Sequence, residues 1–192
     1  RCVAGSWGGG GVGHGEDRMI AGAPRRRFLR ALPGLALLAR TTGTRAATLE
    51  PWKGGATPPL AGRTLAGAPF VLADQRGRTV LVNFWATWCA PCVAEMPALQ
   101  RLADRLAPRG VTVVAVNFQE NAARIAPFVE RLGITLPVVR DHDGAVRAAW
   151  NVNVFPTTFV VGPDQRIAWV ARGEVDWDDP QVESRIVNPG PR

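Results

Sequence analysis

The apolar positions of this chain fall into runs with two different periods. Val80, Leu81, Val82, Phe84 and Trp85 make the run Thr79 to Trp85 almost continuously apolar, the pattern of a strand covered on both faces. Phe70-Val71-Leu72 precedes it across the turn-rich connector Asp74-Gln75-Arg76-Gly77-Arg78, which predicts a hairpin entry to the sheet. From Pro91 to Leu106 the period becomes helical, carried by Val93, Met96, Leu99, Leu102 and Leu106, with Pro97 predicting a kink. Val111 to Val116 predicts a second buried strand. Ala122 to Leu132 predicts a helix interrupted or restarted at Pro127 and stopped by Gly133. Leu136 to Val139 then reads as a third strand and Ala145 to Trp150 as a short helix.

Thr157 to Val161 and Ile167 to Ala171 alternate on either side of Gly162-Pro163-Asp164-Gln165, which is hairpin punctuation. A final helix starts at Asp179 as cap with Pro180 in its first position. Strands alternating with helices and closing on a hairpin predict an α/β fold, a mixed sheet with helices on both faces. Thr48 to Pro69, rich in Gly, Pro and Ala, reads as an extended approach with little regular structure.

Charge changes this picture only at the amino-terminal end. The formal net charge of +7 suggests a nucleic-acid partner until the charges are located. Residues 1–47 hold eight Arg against Glu16 and Asp17, leaving 15 basic and 14 acidic residues downstream. That nearly neutral domain has no Lys/Arg run able to supply a row of phosphate contacts, so nucleic-acid binding is set aside.

The leader has the layout of an export signal. Arg25-Arg26-Arg27-Phe28-Leu29-Arg30 is followed by a short apolar stretch, Ala31 to Ala39, and by small residues leading to a cleavage point near Ala46 or Ala47. It resembles a twin-arginine signal, with Pro24 where Ser or Thr is usual. Residues 1–18 are Gly-rich and precede the first methionine, Met19, so translation is expected to start there and residues 19–47 to be the signal peptide, with an uncleaved anchor or a basic disordered tail as the alternative. The remaining residues, 48–192, are of ordinary size for one domain with its own core, and the protein is expected to act in the periplasm.

Cys2 belongs to the leader, which leaves the domain Cys89 and Cys92. Two cysteines make no disulfide framework, and a bridge over two intervening residues constrains the unfolded chain weakly. The pair sits where the strand Thr79 to Trp85 hands over to a helix, so the first cysteine is expected at an exposed helix N-terminus and the second one turn deeper. That placement suits a dithiol that opens and closes. Zinc wants four ligands, and only His142 and scattered carboxylates remain. Covalent haem attachment wants His after the second cysteine, where Val93 stands.

The stretch Val82-Asn83-Phe84-Trp85-Ala86-Thr87-Trp88-Cys89-Ala90-Pro91-Cys92 resembles the active-site strand and turn of the thioredoxin superfamily, and within it of exported TlpA/ResA-like thiol-disulfide oxidoreductases. Pro97 matches that family's helix-kinking proline, and Phe155-Pro156-Thr157-Thr158-Phe159 matches the segment bearing its cis-proline. The likeness runs from about Leu60 to Gly173. It implies a thioredoxin-like fold with a strand-helix insertion between the CxxC motif and the cis-proline, in a region such as Ala122 to Val139.

On this resemblance Cys89 is the nucleophile. Unpaired N–H groups and the dipole at a helix N-terminus favour its thiolate by about 0.3 to 1 kcal/mol, and at most ~2, or roughly one pKa unit. Cys92, deeper and less solvated, is the resolving thiol. Glu95 lies three residues beyond Cys92 on the same side of the helix. The resemblance makes it a proton acceptor for Cys92; the alternative is an ordinary solvated helix carboxylate. Thioredoxin itself has Asp where Asn83 stands, and Asn takes no proton, so another base is needed. Pro156 is expected to be cis and, with Phe155, Trp88 and Pro91, to align an extended substrate segment beside Cys89.

The expected function is that of an exported dithiol reductant of protein disulfides, monomeric and without a cofactor. A membrane thiol reductant of the DsbD/CcdA type would recharge it, and apocytochrome c thiols lead as substrate. The alternative is a Cu(I) chaperone using the same two thiolates, with Met96 either an extra soft ligand or simply core. A thiol peroxidase would need Thr where Ala86 stands.

Overall fold

The computed structural model describes residues 46–190, so the expected leader lies outside the described residues apart from Ala46 and Ala47. A central sheet runs in the order β1-β8-β7-β4-β5-β6, made of Glu50–Pro51 (β1), Ile167–Arg172 (β8), Thr157–Val161 (β7), Thr79–Trp85 (β4), Val111–Phe118 (β5) and Val138–Asp141 (β6). β4 pairs in parallel with β5 and antiparallel with β7. A second, two-stranded sheet joins Ala61–Arg63 (β2) to Pro69–Val71 (β3). The helices are Ala90–Leu106 (α1), Ala122–Arg131 (α2), Ala145–Ala149 (α3) and Pro180–Val187 (α4). Among the described residues no helix is long and apolar enough to cross a membrane.

The alternation along β4 splits the core in two. Leu81 and Trp85 join a cluster with the buried row of α1, which includes Cys92, Met96, Leu99, Leu102 and Leu106. Val80, Val82 and Phe84 face the other way, against Leu60, Phe70, Trp150 and Phe159. Asn83 shares the parity of Leu81 and Trp85, which puts this amide under α1. Every residue of β4 is buried, as its unbroken apolar run requires.

Three expectations are corrected. Phe70-Val71-Leu72 does not form a hairpin with β4, because both edges of β4 are already taken by β5 and β7; a 3-10 turn at Leu72–Gln75 diverts the chain, and β3 pairs with β2 instead. Thr48 to Pro69 holds more regular structure than its composition suggests, since β1 and β2 lie in it and Leu49 and Leu60 are buried. α2 runs unbroken through Pro127, whose missing N–H frees the carbonyl of Ala123, an exposed residue that water can serve. Pro97 lies inside α1, as expected. α2 and β6 fill the expected insertion.

Candidate active site

The site forms where β4 ends. Ala86, Thr87 and Trp88 lead from the carboxyl end of β4 into α1, the end of an α/β sheet at which loops gather. Cys89 is the N-cap of α1: its backbone is extended, its N–H donates to the Ala86 carbonyl at 3.2 Å, and its Sγ accepts from the Cys92 N–H at 3.3 Å. A sulfur that receives a helix N-terminal N–H is held where negative charge is favoured. Pro91 fits in the first turn because an N–H there has no helical partner to lose. Cys89 and Cys92 form a disulfide, with their Cα atoms 5.3 Å apart.

The two sulfurs differ in access, although less than expected. Cys92 is fully buried, and Cys89 keeps only 6 % exposure instead of standing open at the helix end. Its side chain folds back over the first turn of α1, which closes most of its surface. Attack is therefore restricted to the exposed edge of Cys89.

The other residues expected from the sequence fall in two segments, the turn that leads into α1 and the loop before β7. Trp88 is 58 % exposed, and its ring meets that of Phe155 edge-on at 5.6 Å, so the two motifs come together in space. Phe155 packs in turn on Phe118, with ring centroids 5.4 Å apart. The Phe155–Pro156 bond is cis. Pro156 itself is buried, and its carbonyl accepts from the Gly173 N–H at 2.8 Å, which ties the loop to the end of β8. Val154, next to Phe155, is the other large apolar residue standing exposed among the described residues. Pro91 is exposed on the helix side of the disulfide.

Glu95 is not a solvated helix carboxylate. It is 3 % exposed on the buried face of α1, one turn beyond Cys92. Its Oε1 accepts from Asn83 Nδ2 at 2.9 Å, and its Oε2 accepts from the Val175 N–H at 3.1 Å and from Trp177 Nε1 at 3.2 Å. Burial raises its pKa from the ordinary 4.5 to about 7, against the three hydrogen bonds, which pull it down. A carboxyl balanced near neutrality is able both to take and to return a proton at physiological pH. Asn83 spends its second N–H on Thr158 Oγ1, 2.9 Å away on β7.

A second carboxylate belongs to the site and carries no motif in the sequence. Glu120 follows the end of β5 and is 7 % exposed. It accepts from the Thr87 N–H at 2.7 Å, the Thr87 hydroxyl, Asn117 Nδ2 at 2.9 Å and Arg124 Nε at 2.8 Å. These hydrogen bonds outweigh burial and lower its pKa, so it is ionised at neutral pH and clamps the loop two residues before Cys89. The only local sign of this arrangement is an acidic residue four positions ahead of an Arg, a spacing the chain also has at Asp74/Arg78 and Asp143/Arg147. Met96 is fully buried in the core beneath α1, in keeping with its place in the helical pattern.

Comparison with known proteins agrees with this geometry. The redoxin family model matches residues 52–186. The chain is 34 % identical to the thiol-disulfide oxidoreductase ResA of Geobacillus kaustophilus over 136 residues, covering 71 % of this chain and 78 % of that one. Among solved structures, a thiol:disulfide interchange protein of the thioredoxin family from Chlorobium tepidum superposes with a TM-score of 0.63 at 26 % identity, covering 75 % of this chain and all of the other. A secreted thiol-disulfide isomerase from Corynebacterium glutamicum gives 0.63 at 30 % identity, with 69 % and 85 % covered. The chain belongs to the redoxin family, with its thioredoxin-like fold and the cysteine pair of a thiol-disulfide oxidoreductase.

Proposed function

We propose that this protein is an exported dithiol reductant of protein disulfides. The observation that carries the reading is the asymmetry of the pair: a slightly exposed cysteine at a helix N-cap, bonded to a closed cysteine one turn from a buried carboxyl with pKa about 7. In the reduced protein the Cys89 thiolate attacks one sulfur of a substrate disulfide, forming a mixed disulfide and releasing the other substrate sulfur as a thiolate. Cys92 then gives its proton to Glu95 and attacks Cys89 Sγ, which expels the second substrate sulfur. Two electrons pass to the substrate, and the Cys89–Cys92 disulfide remains.

Trp88, Phe155 and Pro91 frame the exposed edge of Cys89, and Pro156 holds the facing loop. An extended substrate segment laid beside that loop brings its disulfide to the one sulfur within reach. In an oxidising compartment the resulting disulfide must be reduced again, which calls for a membrane thiol reductant of the DsbD/CcdA type. The leader pattern supports export, the similarity to relatives named thiol-disulfide oxidoreductase supports protein thiols and disulfides as substrates, and within that class apocytochrome c thiols, served by a monomer, remain the leading choice. Insulin reduction tests the activity: the protein with dithiothreitol should precipitate insulin B chain well ahead of dithiothreitol alone. No acceleration would refute it.

A further inference from the structure

The three donors on Glu95 come from two directions. Asn83 reaches Oε1 from β4, while the Val175 N–H and the Trp177 indole converge on Oε2 from the segment between β8 and α4. That segment carries none of the residues singled out by the active-site motifs. Trp177 is nevertheless fully buried, in the core cluster that contains both cysteines.

α1 grips this tryptophan from both of its sides. On the inner face stands Glu95; on the outer, Arg105 Nη2 donates to the Trp177 carbonyl at 3.3 Å, and Arg101 pairs with neighbouring Asp178 at 2.7 Å. The indole ring is thus fixed relative to the helix that bears Cys89, Cys92 and Glu95. An indole N–H only donates, so at Oε2 it favours the carboxylate, the stronger acceptor, over the protonated carboxyl. The remaining groups around the carboxyl are few. Glu174, on the same segment, opposes its charge. Cys92, closed in the disulfide, lies one turn back on α1, and Asn83 and Thr158 contribute neutral groups from β4 and β7.

We propose that Trp177 is a positioning residue for this carboxylate: its indole N–H pins Oε2 to the segment before α4 and sets the pH at which Glu95 takes up its proton. The inference rests on the reading of Glu95 as proton acceptor for Cys92. It adds that the acceptor is tuned from outside both active-site motifs. Removing the N–H while keeping an aromatic ring takes away one of three stabilising contacts to the charged form.

The test is a carboxyl-carbon NMR titration of Glu95 in the wild-type protein and in Trp177→Phe. The variant should titrate about one pH unit higher, the scale of one hydrogen bond to a charged group. An unchanged or lower midpoint would overturn the proposal. A second readout needs no variant at that position: in the wild-type protein the Trp177 indole N–H resonance should shift with the Glu95 midpoint, and in Glu95→Gln it should stay flat. A wild-type indole signal indifferent to pH between 5 and 9 also overturns it. If the indole tracks Glu95 while Glu95→Gln leaves thiol exchange unaltered at every pH, the positioning role stands and the proton-acceptor role falls.

Discussion

Cys89→Ser abolishes disulfide reduction, whereas Cys92→Ser arrests it halfway, as a stable mixed disulfide between Cys89 and the substrate. The difference follows from where the sulfurs sit. Cys89 caps α1, with its sulfur against the Cys92 N–H, and alone keeps an exposed edge. A helix N-terminus that lowers a thiol near 8.5 by roughly one unit raises its thiolate fraction at pH 7 nearly tenfold. Cys92 is fully buried and has no route to a substrate except through Cys89. Mass spectrometry after incubation with an oxidised protein substrate checks both outcomes: an adduct on Cys92→Ser and none on Cys89→Ser. Adduct formation by Cys89→Ser would assign attack to the wrong sulfur.

Glu95 makes the oxidised protein less stable as pH rises through neutrality. Its carboxyl binds a proton up to about pH 7 in the folded state but only to about 4.5 when unfolded. Between those values the native state holds more protons, so the contribution of Glu95 to stability is fullest below 4.5 and is lost as pH rises through 7. The total is roughly 3 kcal/mol at 1.36 kcal/mol per unit. Glu95→Gln removes the titration, so urea unfolding of this variant should lack that part of the slope, and the variant should be the more stable protein at pH 8. In exchange assays the same change should raise the pH needed to release the mixed disulfide. Identical stability profiles for both proteins would mean that Glu95 titrates like a surface carboxylate.

Much of this site is legible in the sequence, for a physical reason. A strand buried on both faces announces itself as an unbroken apolar run, so Thr79 to Trp85 and the placement of Cys89 and Cys92 just after it follow from local pattern alone. The cis-proline loop is legible from its resemblance, Phe155-Pro156-Thr157, and the structure joins it to Trp88 through a ring contact. What local pattern does not carry is partnership across the sheet. Glu95 meets Val175 and Trp177 from 80 and 82 residues away, and Thr87 meets Glu120 from 33. No periodicity links such positions, so the burial of Glu95 and the contacts of Glu120 and Trp177 are not legible in the sequence.

The misread hairpin has the same origin. Phe70 to Leu72 and β4 look like neighbouring strands across a turn, but the choice of partner depends on which edges β5 and β7 have already filled. The slight exposure of Cys89 is likewise a tertiary fact, set by how its side chain folds over the first turn of α1. Motif and period place the sulfurs; packing decides how far each is open.

The central claim is that Cys89 and Cys92 form a reversible, reducing couple. Equilibration of the purified protein in glutathione buffers, read by mass spectrometry of alkylated thiols, tests it most directly. The account predicts a single two-electron transition in which both cysteines open and close together, at a potential nearer the roughly −270 mV of thioredoxin than the roughly −120 mV of the oxidant DsbA. A midpoint at the DsbA end, or a disulfide that excess dithiothreitol leaves closed, would contradict it.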